Sequence, residues 1–465
     1  MTRFAPTLAS IAMLIAIAAG AAPAPPLPAT NPISWSGDAR FFVAALDSIH
    51  PKPYREYRRA AWDSAAADLD KRLPTLRYCD AVAALSRLVG MLRDGHSRLD
   101  MLSLAGHGRP TLSMLPGPGF DAIYGIEAQV FADGLWIVRA TPAHRDLLGS
   151  HITAIGGRPV GDAVKALAAL IPSDNPMWGY YVLPAFLQTP GFVAAAGLSP
   201  APTSPLQLTL SDPGGTSHQA SLDPEPRDST TRWAEADANL RALLPLTRSL
   251  PGPFSFADLN DSLETVFVRL REIGDQRGGE TLAQFDKRLF AHVDSIGCRR
   301  LILDLRGNGG GNNYLNQPLV HGIIRRPRID HTGGLFAVVD RGTFSAAVSL
   351  SCDLERETHA IFVGEPTGGA PNSPGDPTDV KLPKSGLIVR VSTVMWYGSD
   401  PRDPRAFIAP DLPAMPTYAD WFAHRDPALA AIGGFRPPAV EDDTPPNEHW
   451  FSKKKIYAKV PEIAW

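Results

Sequence analysis

The chain is poor in cysteine, in net charge and in long apolar runs, and each scarcity excludes something. Three cysteines in 465 residues, Cys79, Cys298 and Cys352, form no C-x-x-C pair, so a cysteine zinc site and a dithiol redox motif are both excluded. Cys298 precedes an expected core strand and Cys352 falls within an expected core helix, where a thiol acts as a small hydrophobe. Lys and Arg number 45 against 48 Asp and Glu, a net charge of −3 that leaves no polycationic footprint for phosphate neutralisation. No nucleic-acid partner is expected. None of the 12 histidines stands in H-E-x-x-H, no serine of the α/β part lies in G-x-S-x-G, and no Walker lysine follows a glycine-rich turn. Neither a metal nor a cofactor is expected. Proline, by contrast, is abundant at 45 residues, and it breaks the long helices that coiled coils and helical solenoids need.

What is present reads as a globular chain, 44% hydrophobic and 20% charged, long enough to bury a large core. Residues 1–24 have the three-part pattern of an export signal: Arg3, an apolar stretch from Leu8 to Ala19, then small residues before a proline-rich segment. The apolar stretch is shorter than the ~20 residues that span a bilayer, and no cysteine follows it for a lipid anchor. A periplasmic or secreted protein without a stable membrane anchor is expected.

Four further segments follow. Residues 30–105 show apolar positions at helical spacing, among them Phe41, Phe42, Ala45 and Leu46, then Leu85, Leu88, Val89 and Leu92, which predicts a helical module. Residues 110–222 carry short β-like runs, Leu135 to Val138, Ile152 to Ile155 and Leu206 to Leu210, with a helix from Ala163 to Leu170. Their order suggests a PDZ-like insert, a module that binds extended peptide at a sheet edge. Residues 223–435 open on a polar stretch and then alternate strand and helix, which predicts an α/β core with crossover units. Residues 436–465 remain as a tail.

Two glycine-rich turns follow expected core strands. Asp304 to Asn313 reads D-L-R-G-N-G-G-G-N-N and fails the dinucleotide pattern at Asn312, leaving a turn with open backbone N–H groups. Asp340 to Ala347 reads D-R-G-T-F-S-A-A and places Ser345 at the start of a helix, where the amide of Ala346 could meet an oxyanion. Read locally, Ser345 is better taken as a helix N-cap, a role serine fills very often. His96, just past a helix end in Arg93-Asp94-Gly95-His96, is a candidate base, although a lone histidine is more often structural.

Taken in order, Leu301 to Gly311, Gly342 to Ala347 and Val363 to Gly369 (V-G-E-P-T-G-G) resemble the S41 family of serine peptidases, the tail-specific or carboxy-terminal-processing peptidases. Ile408 to Asp411, Arg425 to Leu429 and the turn at His96 fit the same pattern, so the resemblance covers nearly the whole mature chain. It implies a ClpP/crotonase-like α/β core with an N-terminal helical module and a PDZ-like β-rich insert. The Ser/Lys branch has its lysine near Ala370 or Pro371, where this chain has none, so the resemblance points to the tricorn-like Ser/His branch. It implies Ser345 as nucleophile, His96 as general base, and an oxyanion hole from the amides of Ala346 and of Gly310 or Gly311. For the supporting acid, Asp403 is the closest match and Asp400 the second. The chain departs from the branch at Gly95, where a serine is expected.

The resulting expectation is an exported serine endopeptidase acting on peptide or unfolded protein. The alternative is a non-catalytic binder of an apolar ligand or peptide on the same fold, similar to the interphotoreceptor retinoid-binding protein. A crotonase-like acyl-CoA enzyme ranks last, since no acyl-CoA site is legible.

Overall fold

The computed structural model describes residues 32–103, 111–112, 117–212, 214–227, 233–235, 250–259, 261–437 and 458–465. The expected export signal at 1–24 lies outside them. Among the described residues no helix is long and apolar enough to cross a membrane.

The N-terminal part is helical: α1 (Asp38–Ile49), α2 (Arg59–Arg72) and α3 (Tyr78–Gly90), followed by a two-residue strand β1 (Arg98–Leu99). On α1 the buried positions Ala39, Phe42, Val43 and Leu46 follow i, i+3, i+4, i+7, one face of a 3.6-residue period. Phe41, which the sequence pattern groups with that face, is exposed. The next segment forms β2 (Ile126–Phe131), β3 (Gly134–Ala140) and β4 (His151–Ile155). It continues through α4 (Val160–Ala168), α5 (Pro176–Leu187) and α6 (Pro190–Ala195) to β5 (Leu206–Ser211) and β6 (Ser217–Leu222). The strands pair antiparallel in the spatial order β6-β5-β4-β3-β2. The predicted strands here fall within β3, β4 and β5, and the predicted helix Ala163 to Leu170 overlaps α4 and runs two residues past its end. Helices α5 and α6 were not predicted, because an apolar run interrupted by Pro176, Pro184 and Pro190 shows no helical period. Helix α5 is apolar on almost every side and is buried between other elements. Side chains of α1, α3, β2, β4, α5 and β5 enter one continuous hydrophobic cluster, so the helical part and the β-rich part share a core.

The remaining chain builds the α/β core. It contains β7 (Phe254–Asp258), β8 (Thr265–Leu270), α7 (Leu282–Ser295), β9 (Arg300–Asp304), α8 (Gln317–Ile324), β10 (Leu335–Val339), α9 (Ala346–Glu357) and β11 (Ile361–Gly364). After it come a long hairpin, β12 (Asn372–Lys381) and β13 (Ile388–Tyr397), then β14 (Leu412–Pro413), α10 (Tyr418–Phe422) and α11 (Pro427–Gly434). The sheet runs β7-β8-β9-β10-β11-β14, with only the β7–β8 pair antiparallel. Successive strand residues point to opposite faces. Leu301, Leu303, Leu335, Ala337 and Val339 therefore meet α7, α8 and α9. Ile302, Phe336 and Val338 meet Ala428 and Ile432 of α11 on the other face. All three cysteines are free and buried, as expected for Cys298 and Cys352.

The β12–β13 hairpin ties the two halves together. Strand β1 pairs antiparallel with β13, Arg98 opposite Arg390 and Leu99 opposite Val389. The buried Asp38 carboxylate at the start of α1 accepts from the amides of Lys384 (2.9 Å) and Ser385 (2.7 Å) at the hairpin tip. Asn175, which caps α5, donates to the carbonyls of Thr367, Gly368 and Ala406 at 2.7–3.2 Å. Together these contacts set the end of α3 and the start of α5 against the core.

One buried charge lies off this frame. Asp286 of α7 is 3% exposed, and neither carboxylate oxygen has a partner. Burial pushes its carboxyl up to about 7, so the folded state holds a proton that the unfolded chain releases near ~4. Between those values folding binds protons, and stability falls as pH rises. Asp286→Asn should flatten this slope in thermal denaturation, raising Tm more at about pH 8 than at about pH 5; an equal change at both pH values would contradict the assignment.

Candidate active site

Ser345 closes the turn between β10 and α9. Its φ of 53° and ψ of −127° place a non-glycine residue in a sparsely populated region, at a cost of ~1–3 kcal/mol that the surroundings must offset. The turn is held from several sides. Asp340 Oδ1 accepts from the amides of Gly307 and Gly342, each at 2.9 Å. Thr343 Oγ1 donates to the Leu305 carbonyl at 2.9 Å, and the Phe344 amide donates to the Asn308 carbonyl at 2.9 Å. The Gly368 amide donates to the Thr343 carbonyl at 3.0 Å, while Arg341 and Glu365 form a buried two-pronged ion pair at 2.8 Å. The V-G-E-P-T-G-G segment therefore braces the serine turn. Burial, then the charge of Glu365, pushes the Asp340 carboxyl up to about 6.

The Ser345 side chain makes no capping hydrogen bond, although it occupies the N-cap position of α9. The N-cap reading thus loses its physical basis, and the half-buried hydroxyl is left free at a helix N-terminus. The glycine-rich turn after β9 lies directly against it: a Cβ on Gly310 would come within 2.5 Å of Ser345 Cβ and 2.7 Å of the Ala346 nitrogen. The Gly310 amide already donates to Asn308 Oδ1 at 2.9 Å. The amides of Ala346 and Gly311 donate to no protein acceptor among the described residues.

His96 arrives from the other half of the chain, on the turn after α3. Its ring packs on that of Phe344, the residue before the serine, with centroids 4.5 Å apart and planes tilted by 30°. Trp178 of α5 stacks on Phe344 at 4.0 Å. Gly95 is what admits these rings. A Cβ there would approach Phe344 Cζ to 2.9 Å and Trp178 Cδ1 to 3.3 Å, which gives a physical reason for glycine where the tricorn-like pattern has serine. Ser97 does not stand free in its place, because its Oγ donates to Asp94 Oδ2 at 2.5 Å and accepts from the Ser392 amide at 3.0 Å. No hydrogen bond joins Ser345 and His96 in this resting arrangement.

The acid facing His96 is Asp94. It is fully buried, its Oδ1 lies 3.7 Å from His96 Nδ1, and it accepts from the His96 amide (2.8 Å) and from Ser392 Oγ (2.6 Å). His50 approaches the same carboxylate from behind, Nε2 to Oδ2 at 3.5 Å. Burial would raise the Asp94 pKa, but the imidazoles of His50 and His96 beside it and the hydrogen bond from Ser392 outweigh it and hold the carboxylate well below the usual range. The neighbouring Asp174 takes the opposite state, pushed well above the usual range by burial and then by the charge of Asp94.

Asp403, the closest sequence match for the supporting acid, has a different partner. Its carboxylate accepts from Arg405 Nε at 3.0 and 3.1 Å, and the same guanidinium pairs with Glu355 of α9 at 2.7 and 3.0 Å. This buried carboxylate makes no hydrogen bond to His96. Asp400, the second match, pairs with Arg402 at 3.0 Å. The structure thus gathers Ser345, Ala346, Gly310, Gly311 and His96, and it brings Asp94 beside His96, while Asp403 and Asp400 pair with arginines. Asp94 stands two residues before His96 in the quoted R-D-G-H run, so a turn folding its carboxylate back on the next amides was the available signal.

No protein-family profile and no curated protein sequence matches the chain. Solved structures do. Mature CPAF is similar at 12% identity with a TM-score of 0.57, over 87% of this chain and 95% of that one. An alanine mutant of CPAF gives a TM-score of 0.58 at 12% identity over 88% and 98%. Mature CPAF complexed with lactacystin gives 0.57 at 12% over 87% and 97%. At this identity the likeness is one of fold: the chain has the fold of CPAF over most of its length.

The fit of Gly95 under Phe344 is testable by denaturation. Gly95→Ser should cost about 1–3 kcal/mol through overpacking. Phe344→Leu in the same chain should recover part of that loss, giving a coupling between the two sites. Additive costs would mean that the two residues do not press on one another.

Proposed function

We propose that the chain is an exported serine endopeptidase, with Ser345 as nucleophile and His96 as general base. The observation that carries this reading is an uncapped serine hydroxyl held at positive φ on a helix N-terminus, beside free amides and packed through Phe344 against a histidine backed by a buried carboxylate. The S41-like fold supports it, as does the export signal in residues 1–24.

In the reaction, an Nδ1–H turned toward Asp94 leaves His96 Nε2 as the acceptor nitrogen. Ser345 Oγ attacks the peptide carbonyl while His96 takes its proton. The tetrahedral oxyanion is met by the amides of Ala346 and Gly311, and Gly310 provides the space that a side chain would fill. His96 then protonates the leaving amine as the C–N bond breaks, leaving an acyl-enzyme on Ser345. Water, deprotonated by His96, attacks the ester and releases the acid product and the free serine. Asp94 fixes the imidazole tautomer and stabilises the imidazolium, the part assigned to Asp403 on resemblance alone. Bringing Ser345 and His96 into hydrogen-bond reach is a step that accompanies substrate binding, as resting sites often show.

The substrate class is peptide or unfolded protein, and the β-rich insert is the peptide-reading element of this proposal. With unstructured peptide as substrate, Ser345→Ala or His96→Gln should lower kcat by ~10⁴-fold or more. Asp94→Asn should lower kcat by ~10²–10⁴-fold with little change in KM. Asp403→Asn should lower Tm by breaking a buried network while leaving kcat of the folded enzyme near that of the parent. Unchanged hydrolysis by Ser345→Ala, or no labelling of Ser345 by a fluorophosphonate probe, would instead favour the ligand-binding reading.

A further inference from the structure

The end of the chain does not hang free. Residues 463–465 lie against the β-rich insert and the cluster it shares with the helices, and three parts of the insert meet the last two residues. The Ala464 amide donates to the Ala132 carbonyl in the β2–β3 turn at 3.1 Å. A Cβ on Gly134 in the same turn would come within 3.1 Å of the Ala464 carbonyl oxygen. The Trp465 indole rests on Gly161 near the start of α4, where a Cβ would reach its Cδ1 at 3.2 Å and Cγ at 3.3 Å. Tyr180 of α5 meets the same indole edge-on, with centroids 5.9 Å apart and planes at 67°. Ile463 packs on the cluster shared by the helices and the insert. Trp465 remains 38% exposed, as suits a ring that seats on a surface and is able to leave it.

These contacts have the parts of a peptide site: a backbone acceptor at the end of a strand, glycines that leave room, and an aromatic ring to receive a side chain. The same helix that carries Tyr180 carries Trp178, which stacks on Phe344, and Tyr181, whose ring lies within 2.7 Å of a Cβ position on Gly342. The seat and the serine turn are therefore joined by one buried helix.

We infer that the β2–β3 turn, Gly161 and Tyr180 form a seat for an extended peptide segment carrying a small residue followed by an aromatic one. The chain's own Ala464-Trp465 fills this seat in cis. A substrate segment of the same chemistry binds by displacing the tail. This inference rests on the peptide-handling function proposed above, but the seat itself is defined by binding. A tethered tail competes at an effective concentration of about millimolar, so an outside peptide must overcome it.

The test uses a fluorescein-labelled peptide of sequence Lys-Val-Pro-Glu-Ile-Ala-Trp, matching Lys459 to Trp465, and fluorescence anisotropy. The proteins are the Ser345→Ala chain at full length and the same chain lacking residues 463–465. The truncated chain should bind the peptide at least ~10-fold more tightly than the full chain, as release from a cis competitor requires. A peptide ending Ile-Ala-Ala should bind the truncated chain at least ~10-fold more weakly, and Gly161→Leu in that chain should weaken binding of the Trp peptide to a similar degree. Equal binding by the full and truncated chains, or equal binding of the two peptides, would overturn the proposal. Because the nucleophile is absent from both proteins, a negative result counts against the seat and leaves the hydrolytic reading untouched.

Discussion

The packing of Phe344 is the contact on which the rest of the site depends. Its ring lies between His96 from the N-terminal helices and Trp178 from the insert, while its own backbone leads directly into Ser345. Each aromatic pair is worth ~0.5–1.5 kcal/mol beyond the area it buries. Two such pairs are enough to favour one relative placement of three chain segments far apart in sequence. Gly95 is the condition for both, since any side chain there would occupy the space of the rings.

Electrostatics then separates the roles of the carboxyl groups around that stack. Asp94 and Asp174 lie close together out of water, and both cannot remain charged at low cost. Hydrogen bonds from Ser97, Ser392 and the His96 amide, with the imidazoles of His50 and His96 beside it, keep Asp94 ionised, whereas Asp174 with an unpartnered Oδ2 is pushed toward its neutral form. The pair thus gives His96 one fixed negative neighbour. Elsewhere around the serine turn and α9, Arg341 pairs with Glu365, and Arg405 pairs with Asp403 and Glu355. They hold the serine turn and α9 in place.

Much of the core was legible because its elements obey simple periods. The alternation of strand and helix was readable because strands buried on both faces, such as Thr265–Leu270 and Leu335–Val339, read as unbroken apolar stretches. The serine turn and the histidine were legible as motifs, because glycine at Gly310 and Gly342 marks where chains press together. Helix α5 was not legible, and neither was its part in the site: its burial on nearly every side erases periodicity, and three prolines mimic loop punctuation. The partners of the candidate acids were not legible for a related reason. Pattern position pointed to Asp403, but a carboxylate goes to its best partner, and Arg405 two residues on offers a paired guanidinium. Nothing local in the sequence shows that Phe344, His96 and Trp178 stack, since that depends on β1 pairing with β13 across nearly 300 residues of chain.

The central claim is that Ser345 and His96 act on the same substrate carbonyl. Treatment with a peptide chloromethyl ketone, followed by digestion and mass spectrometry, tests it most directly: the serine adds reversibly to the ketone, and the histidine beside it displaces chloride and keeps the label after digestion. The account predicts alkylation of His96 in the parent chain and its loss in Ser345→Ala. Alkylation of a different base, or equal alkylation of His96 in both chains, would contradict it.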